Sequence, residues 1–169
     1  MNPILSAGLL IGALCGVWTF VMGFTGWYKD PSLTSAFFLV IPIEIAGLLW
    51  GLRRTAAEGR GYGSQIVAGT LISIVAGVVI IGSSLLFTTV FFPNYFEELE
   101  NIRRTMLAQQ GESAAQIEET IVAGRPFNTP MNQALLGFTG TLITGILASA
   151  IIAIWVRSKH PIPGPAVRR

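Results

Sequence analysis

Glu44 is the residue of this sequence best placed to do chemistry. It stands in an apolar run, Leu33–Leu52, nine residues before Arg53. At 1.5 Å per residue, that separation is about 13 Å along a helix. If the run crosses a bilayer, the carboxyl group lies close to the midplane. A charged side chain there costs about 2.5–3.5 kcal/mol on insertion scales. Three roles are open to it. It packs as a neutral, hydrogen-bonded group, it binds a proton or a cationic substrate, or it anchors a partner subunit. Pro42, two residues earlier, lacks a backbone N–H and is expected to kink the helix, freeing a carbonyl near Phe38. Thr19 and Thr144 fall at similar depth in neighbouring runs. Glu44, Pro42, Thr19 and Thr144 are therefore the candidate intramembrane site.

Other chemistries find little support. His160 and Cys15 are the single histidine and single cysteine, too few for a typical zinc site. Cys15 reads as a small buried hydrophobe. Gly59, Gly61 and Gly63 follow no strand and precede no Lys-Ser or Lys-Thr, so they do not make a phosphate loop. Ser83 and Ser84 have no base at hand. The expectation is a protein that is not an enzyme, with no cofactor, no metal and no nucleic-acid partner.

The elements that position Glu44 are four apolar runs, at 4–27, 33–52, 65–92 and 131–156. Each meets the length of about 20 residues that a bilayer requires. The chain of 169 residues is 51% apolar and 12% charged, against about 25% charged in soluble domains. This composition implies an all-α integral membrane domain spanning residues 1–169, because only closed hydrogen-bonding patterns survive in lipid. The first run lacks a charged leader and exceeds the usual length of a signal peptide's apolar stretch, so it reads as a true span.

Charge gives the spans a direction. Arg53, Arg54, Arg60, Arg157, Lys159, Arg168 and Arg169 concentrate in the second loop and the tail 157–169, with Glu58 alone opposing. The positive-inside rule places both segments, and both termini, in the cytoplasm. The loop 93–130, rich in glutamate, then lies outside. Trp27, Tyr28, Trp50 and Trp155 end three of the spans at headgroup level. Trp18 sits mid-span and needs a partner for its N–H. The third run would measure roughly 42 Å as one helix, longer than the hydrocarbon layer, so it must tilt or project.

The outer loop reads as an amphipathic helical hairpin. Tyr95, Leu99, Ile102 and Met106 share one helical face, Glu100 and Arg104 form an i,i+4 pair, and Gly111 is a stop. Ser113 and Gln116 match a capping box, and Thr129-Pro130 an N-cap followed by proline at the first helical position.

Small residues mark contact faces among the spans. Gly8, Gly12, Gly16 and Gly23 stripe the first, Gly69, Ser73 and Gly77 the third, and Gly137 and Thr141 the fourth. Such faces let backbones approach closely, within one bundle or in a homodimer or larger membrane complex.

Gly61-Tyr62-Gly63-Ser64 before the third run, Phe92-Pro93-Asn94-Tyr95-Phe96-Glu97 after it, and Gly111-Glu112-Ser113 further on form an order that resembles the bacterial domain-of-unknown-function family 4199. The resemblance implies a small four-span protein of the bacterial inner membrane with a helical segment between spans three and four. It implies no activity and no catalytic residue. On these grounds the leading expectation is an accessory or assembly subunit that packs through its small-residue faces, with membrane lipids around it. The alternative is a small proton-linked transporter or lipid-binding protein that uses Glu44.

Overall fold

A computed structural model describes residues 2–157. The tail residues Lys159, His160, Arg168 and Arg169 lie outside the described residues. Six α-helices follow one another: α1 Pro3–Thr25, α2 Val40–Ala56, α3 Tyr62–Leu86, α4 Tyr95–Gln109, α5 Ala114–Gly124 and α6 Pro130–Val156. Four helical segments are long and apolar enough to cross a membrane: Pro3–Thr25, Thr34–Ala56, Tyr62–Phe91 and Pro130–Val156. The protein is an all-helical membrane protein built on a four-helix bundle.

The bundle is apolar outside and small-residued inside. Val17, Val78 and Leu147 are 60%, 60% and 61% exposed, as side chains facing lipid should be. The interior holds Ala7, Ile11, Leu48, Leu52, Ala68, Ile72 and Ala76. Lipid tails are as apolar as leucine, so burial of leucine gives no drive; close backbone approach does. The stripe of α1 supplies that approach towards α3. A Cβ added at Gly8 would stand 2.7 Å from the Ile72 carbonyl, and one at Gly12 2.8 Å from that of Ala76. Gly16 faces Ser83. On α2, Gly47 receives Ile11 and Gly51 receives Ala7.

The second span differs from the sequence expectation. Its first part, Thr34–Leu39, winds as a 3-10 helix, and α-geometry starts only at Val40. Pro42 therefore falls in the first turn of α2, where a backbone N–H would lack an intrahelical partner anyway. The kink expected within a continuous α-helix becomes a change of helix type ahead of the proline. Trp18 donates its indole N–H to the Ala36 carbonyl of this segment at 3.0 Å, which gives that mid-span ring its partner.

At the end of α3 the chain widens into a π turn over Phe87–Phe91, closed by Phe92 N–H to the Phe87 carbonyl at 2.8 Å. Thr88 and Thr89 donate their hydroxyls back to the Ser84 and Leu85 carbonyls at 2.9 and 2.7 Å. Phe20 and Phe24 of α1 meet Phe87, Phe91 and Phe92 here, with ring centroids 5.2–6.1 Å apart, and Phe87 and Phe92 lie 4.4 Å from each other. Gly23 makes room for Phe87 and Phe92.

The segment between α3 and α6 starts and stops where its capping residues demand. Asn94 precedes α4, and Gly111 ends the following turn with φ at +85°, where glycine carries no Cβ penalty. Ser113 and Gln116 form the capping box of α5. Thr129 caps α6 by accepting from Asn132 N–H at 3.2 Å, with Pro130 following.

Candidate functional site

Glu44 is 4% exposed and faces the middle of the bundle. Helices α3 and α6 cross beside it, and the crossing is reciprocal. Gly145 of α6 stands against Ser73 of α3, while Gly69 of α3 stands against Ser149 of α6. Each glycine removes the Cβ that would collide with the opposite serine, so the two backbones approach closely at both levels. A Cβ on Gly145 would also lie 3.2 Å from Glu44 Oε1. The carboxyl group of α2 thus enters the α3–α6 crossing at its upper glycine.

Three buried polar atoms in this region lack a hydrogen-bond partner: Glu44 Oε1, Ser73 Oγ and Ser149 Oγ. Ser73 lies beside the carboxyl group without reaching hydrogen-bond geometry. Ser73 and Ser149 are fully buried. An unsatisfied buried polar group costs about 1–3 kcal/mol. Glu44 and Ser73 meet at Gly145, and Ser149 lies one helical turn away at Gly69, so the unpaired groups are strung along the crossing, an arrangement that packing alone does not favour. From α1, Cys15 faces Glu44, and its thiol points at the Val40 carbonyl, 3.9 Å away.

The other residues singled out in the sequence are dispersed. Thr19 donates its hydroxyl to the Cys15 carbonyl of its own helix at 3.0 Å. Thr144 is half-buried and adjoins Gly145. Pro42 sits one half-turn from Glu44 at the start of α2. Of the small-residue stripes, Gly77 receives the Phe138 ring and Gly137 faces Ile80 Cγ2 at 3.2 Å. Thr141 is half-buried one turn before Gly145.

Sequence reading missed four members of the interior. Gly145 and Ser149 continue the i,i+4 stripe from Thr141, and that spacing was the available signal. Thr55 and Gln65 are fully buried near the α2–α3 turn. Thr55 donates to Gln65 Oε1 at 2.6 Å, and Gln65 donates to the Leu52 carbonyl at 3.1 Å.

At the opposite end, three glutamates are paired with basic residues. Glu98 accepts from Tyr28 and from Lys29 Nζ at 2.9 Å, which ties α4 to the end of α1. Lys29 and Tyr28 hold its carboxyl below the usual range. Glu100 accepts from Arg104 at 3.0 Å and Arg125 at 2.9 Å, and Arg104 reaches Glu118 at 2.6 Å. Arg125 and then Arg104 push the Glu100 carboxyl down to about 2. These pairs hold α4 to α5. Among the described residues no three His, Cys, Asp or Glu side chains stand together as a metal site would require.

No curated protein and no solved structure matches the chain. The sequence model of a family described as "Protein of unknown function (DUF4199)" matches residues 6–158, a stretch that takes in the last three membrane-length helices, all but the first three residues of the first, and the Glu44 crossing. The chain belongs to the DUF4199 family.

Proposed function

We propose that this protein is a non-enzymatic, multi-pass protein of the bacterial inner membrane in which Glu44 binds and releases a proton, serving small proton-linked transport. The observation that carries the reading is a buried carboxyl oxygen, Glu44 Oε1, left without a partner beside Ser73, with a second unpaired hydroxyl, Ser149 Oγ, one turn further along the same crossing. A carboxyl group that only glued helices together would have its lone pairs satisfied. Buried carboxyl groups inside membranes mark ion and proton pathways by default. The basic residues of the α2–α3 turn favour a cytoplasmic position for that turn and for both termini. The test is proton stoichiometry across an alkaline step in detergent. Wild-type protein should release one more proton per chain than Glu44→Gln; identical release from the two would remove the basis for this reading.

A second reading, an accessory or assembly subunit, is favoured by a different surface. The stripe of α1 faces α3 and the stripe of α3 faces α6, both inside the bundle, so they offer no seam to a partner. An open cleft between α4 and α5 does, lined by Arg103, Glu119, Phe127 and Asn128. Phe127 is 70% exposed and Val122 50%. Recovery in mild detergent of a defined partner that is lost on Phe127→Ser would support it; recovery of wild-type monomer alone would count against it.

A further inference from the structure

We infer that protons reach Glu44 from one side of the membrane only, the side of the α2–α3 turn, along a file of buried polar side chains. This rests on the reading of Glu44 as a proton site. The buried polar side chains are distributed unevenly about Glu44. Towards the α2–α3 turn lie Ser73 beside the carboxyl, then Ser149 at the level of Gly69, then Gln65 and Thr55. Ser73, Gly69 and Gln65 follow one face of α3 at four-residue steps, each about 6 Å. The lower end of the file is the hydrogen-bonded Thr55–Gln65 pair. Beyond it Tyr62 opens α3 at the turn, half-covered, with Arg157 over its ring at 5.9 Å.

In the other direction the polar side chains nearest Glu44, Thr141, Thr144 and Ser83, are only half-buried, and apolar groups close the α3–α6 groove. Phe138 fills the groove at Gly77, and Ile80 faces Gly137. Among the described residues, the next buried polar side chain that way is Thr88, about 22 Å further along α3, and its hydroxyl is committed to the Ser84 carbonyl. Of the groups facing Glu44, α1 presents the Cys15 thiol, while α3 and α6 present Ser73 and Gly145. Serine hydroxyls both donate and accept, so each can take a proton on one lone pair and pass on its own. The Gln65 amide does not itself pass a proton on, so the relay requires water to carry it past Gln65 and to bridge Ser149 and Ser73. The proton taken from the aqueous phase ends on a Glu44 carboxyl oxygen and leaves by the same route.

The test follows the Glu44 carboxyl band by infrared difference spectroscopy against Glu44→Gln. The protein is reconstituted in phosphatidylcholine vesicles, its orientation read by labelling Glu58→Cys with an impermeant maleimide. A pH step applied on the side of the α2–α3 turn should move the band promptly; the same step on the other side should move it only after the gradient leaks. Ser149→Ala removes an unpartnered hydroxyl and should fold normally, yet slow the response about tenfold, as loss of one relay hydrogen bond would. Gln65→Leu should do the same. Equal response from both sides, or unchanged rates in both variants, overturns the one-sided route and leaves Glu44 as a proton site. Absence of any titrating Glu44 band overturns the proton site itself, and the route with it.

Discussion

The two ends of the chain's carboxyl chemistry are handled in opposite ways. Beyond the bundle, Glu98, Glu100 and Glu118 each have a basic partner within 3.0 Å, although solvent already covers part of their cost. Inside it, where solvation is withheld, Glu44 has none. Stability alone would favour the reverse, since exposed ion pairs contribute little and unpartnered buried groups cost more. The difference teaches that α4 and α5 are held by many replaceable contacts. The Glu44 crossing is held by shape, through glycines that bring α3 and α6 together despite the hydroxyls left unpaired there.

Substitutions can break that comparison or sharpen it. The largest effect should come from Gly12→Ala. Its new Cβ would meet a backbone carbonyl of α3, which cannot swing aside as a side chain can. A cost of about 1–3 kcal/mol is expected from such overpacking, read as a lower midpoint in thermal unfolding in detergent. Glu44→Gln comes next. It keeps the shape and should change stability by no more than about 1 kcal/mol, while removing the released proton. A large loss of stability would recast Glu44 as a structural strut.

Gly140→Ala should move stability the other way. Nothing lies within 4 Å of its added Cβ, so helix propensity decides, with a gain of about 0.5–1 kcal/mol. The smallest effect concerns acid. Glu100 has its carboxyl pushed down from 4.5 to about 2. A depressed carboxyl contributes fully above its unfolded value and loses that contribution as pH falls through the folded one. Amide exchange should therefore rise in α4 and α5 between about pH 4.5 and 2, with α3 and α6 unaltered. Arg125→Gln should shift that rise to higher pH.

Some of this was legible in the residues themselves. Runs of apolar side chains mark the spans, because lipid imposes one requirement on every position. The Ser113–Gln116 box, the Gly111 stop, the Thr129-Pro130 start and the Glu100–Arg104 pair are local, so neighbouring residues suffice to reveal them. The Glu44 surroundings are not local. Counting residues gives depth but not azimuth, which is why Thr19 was matched to Glu44 and yet turns its hydroxyl to its own helix. Gly145 and Ser149 matter only because Ser73 and Gly69 meet them, and that register is a property of two helices. The kink expected at Pro42 presupposes a continuous α-helix, whereas a 3-10 segment precedes it.

The π turn at Phe87–Phe91 carries a consequence for how such a chain can vary in length. A π turn accommodates one residue more than the α-turn it replaces, while the flanking helix keeps its phase. Deleting a residue within Phe87–Phe91 would let the turn relax to α-geometry, with Gly69, Ser73 and Gly77 still facing α6. The same deletion between Leu71 and Val79 would rotate half of that face by about 100° and misalign the crossing. Relatives of this chain should therefore tolerate single-residue insertions and deletions near the Phe87–Phe91 end of the third span and exclude them from its middle.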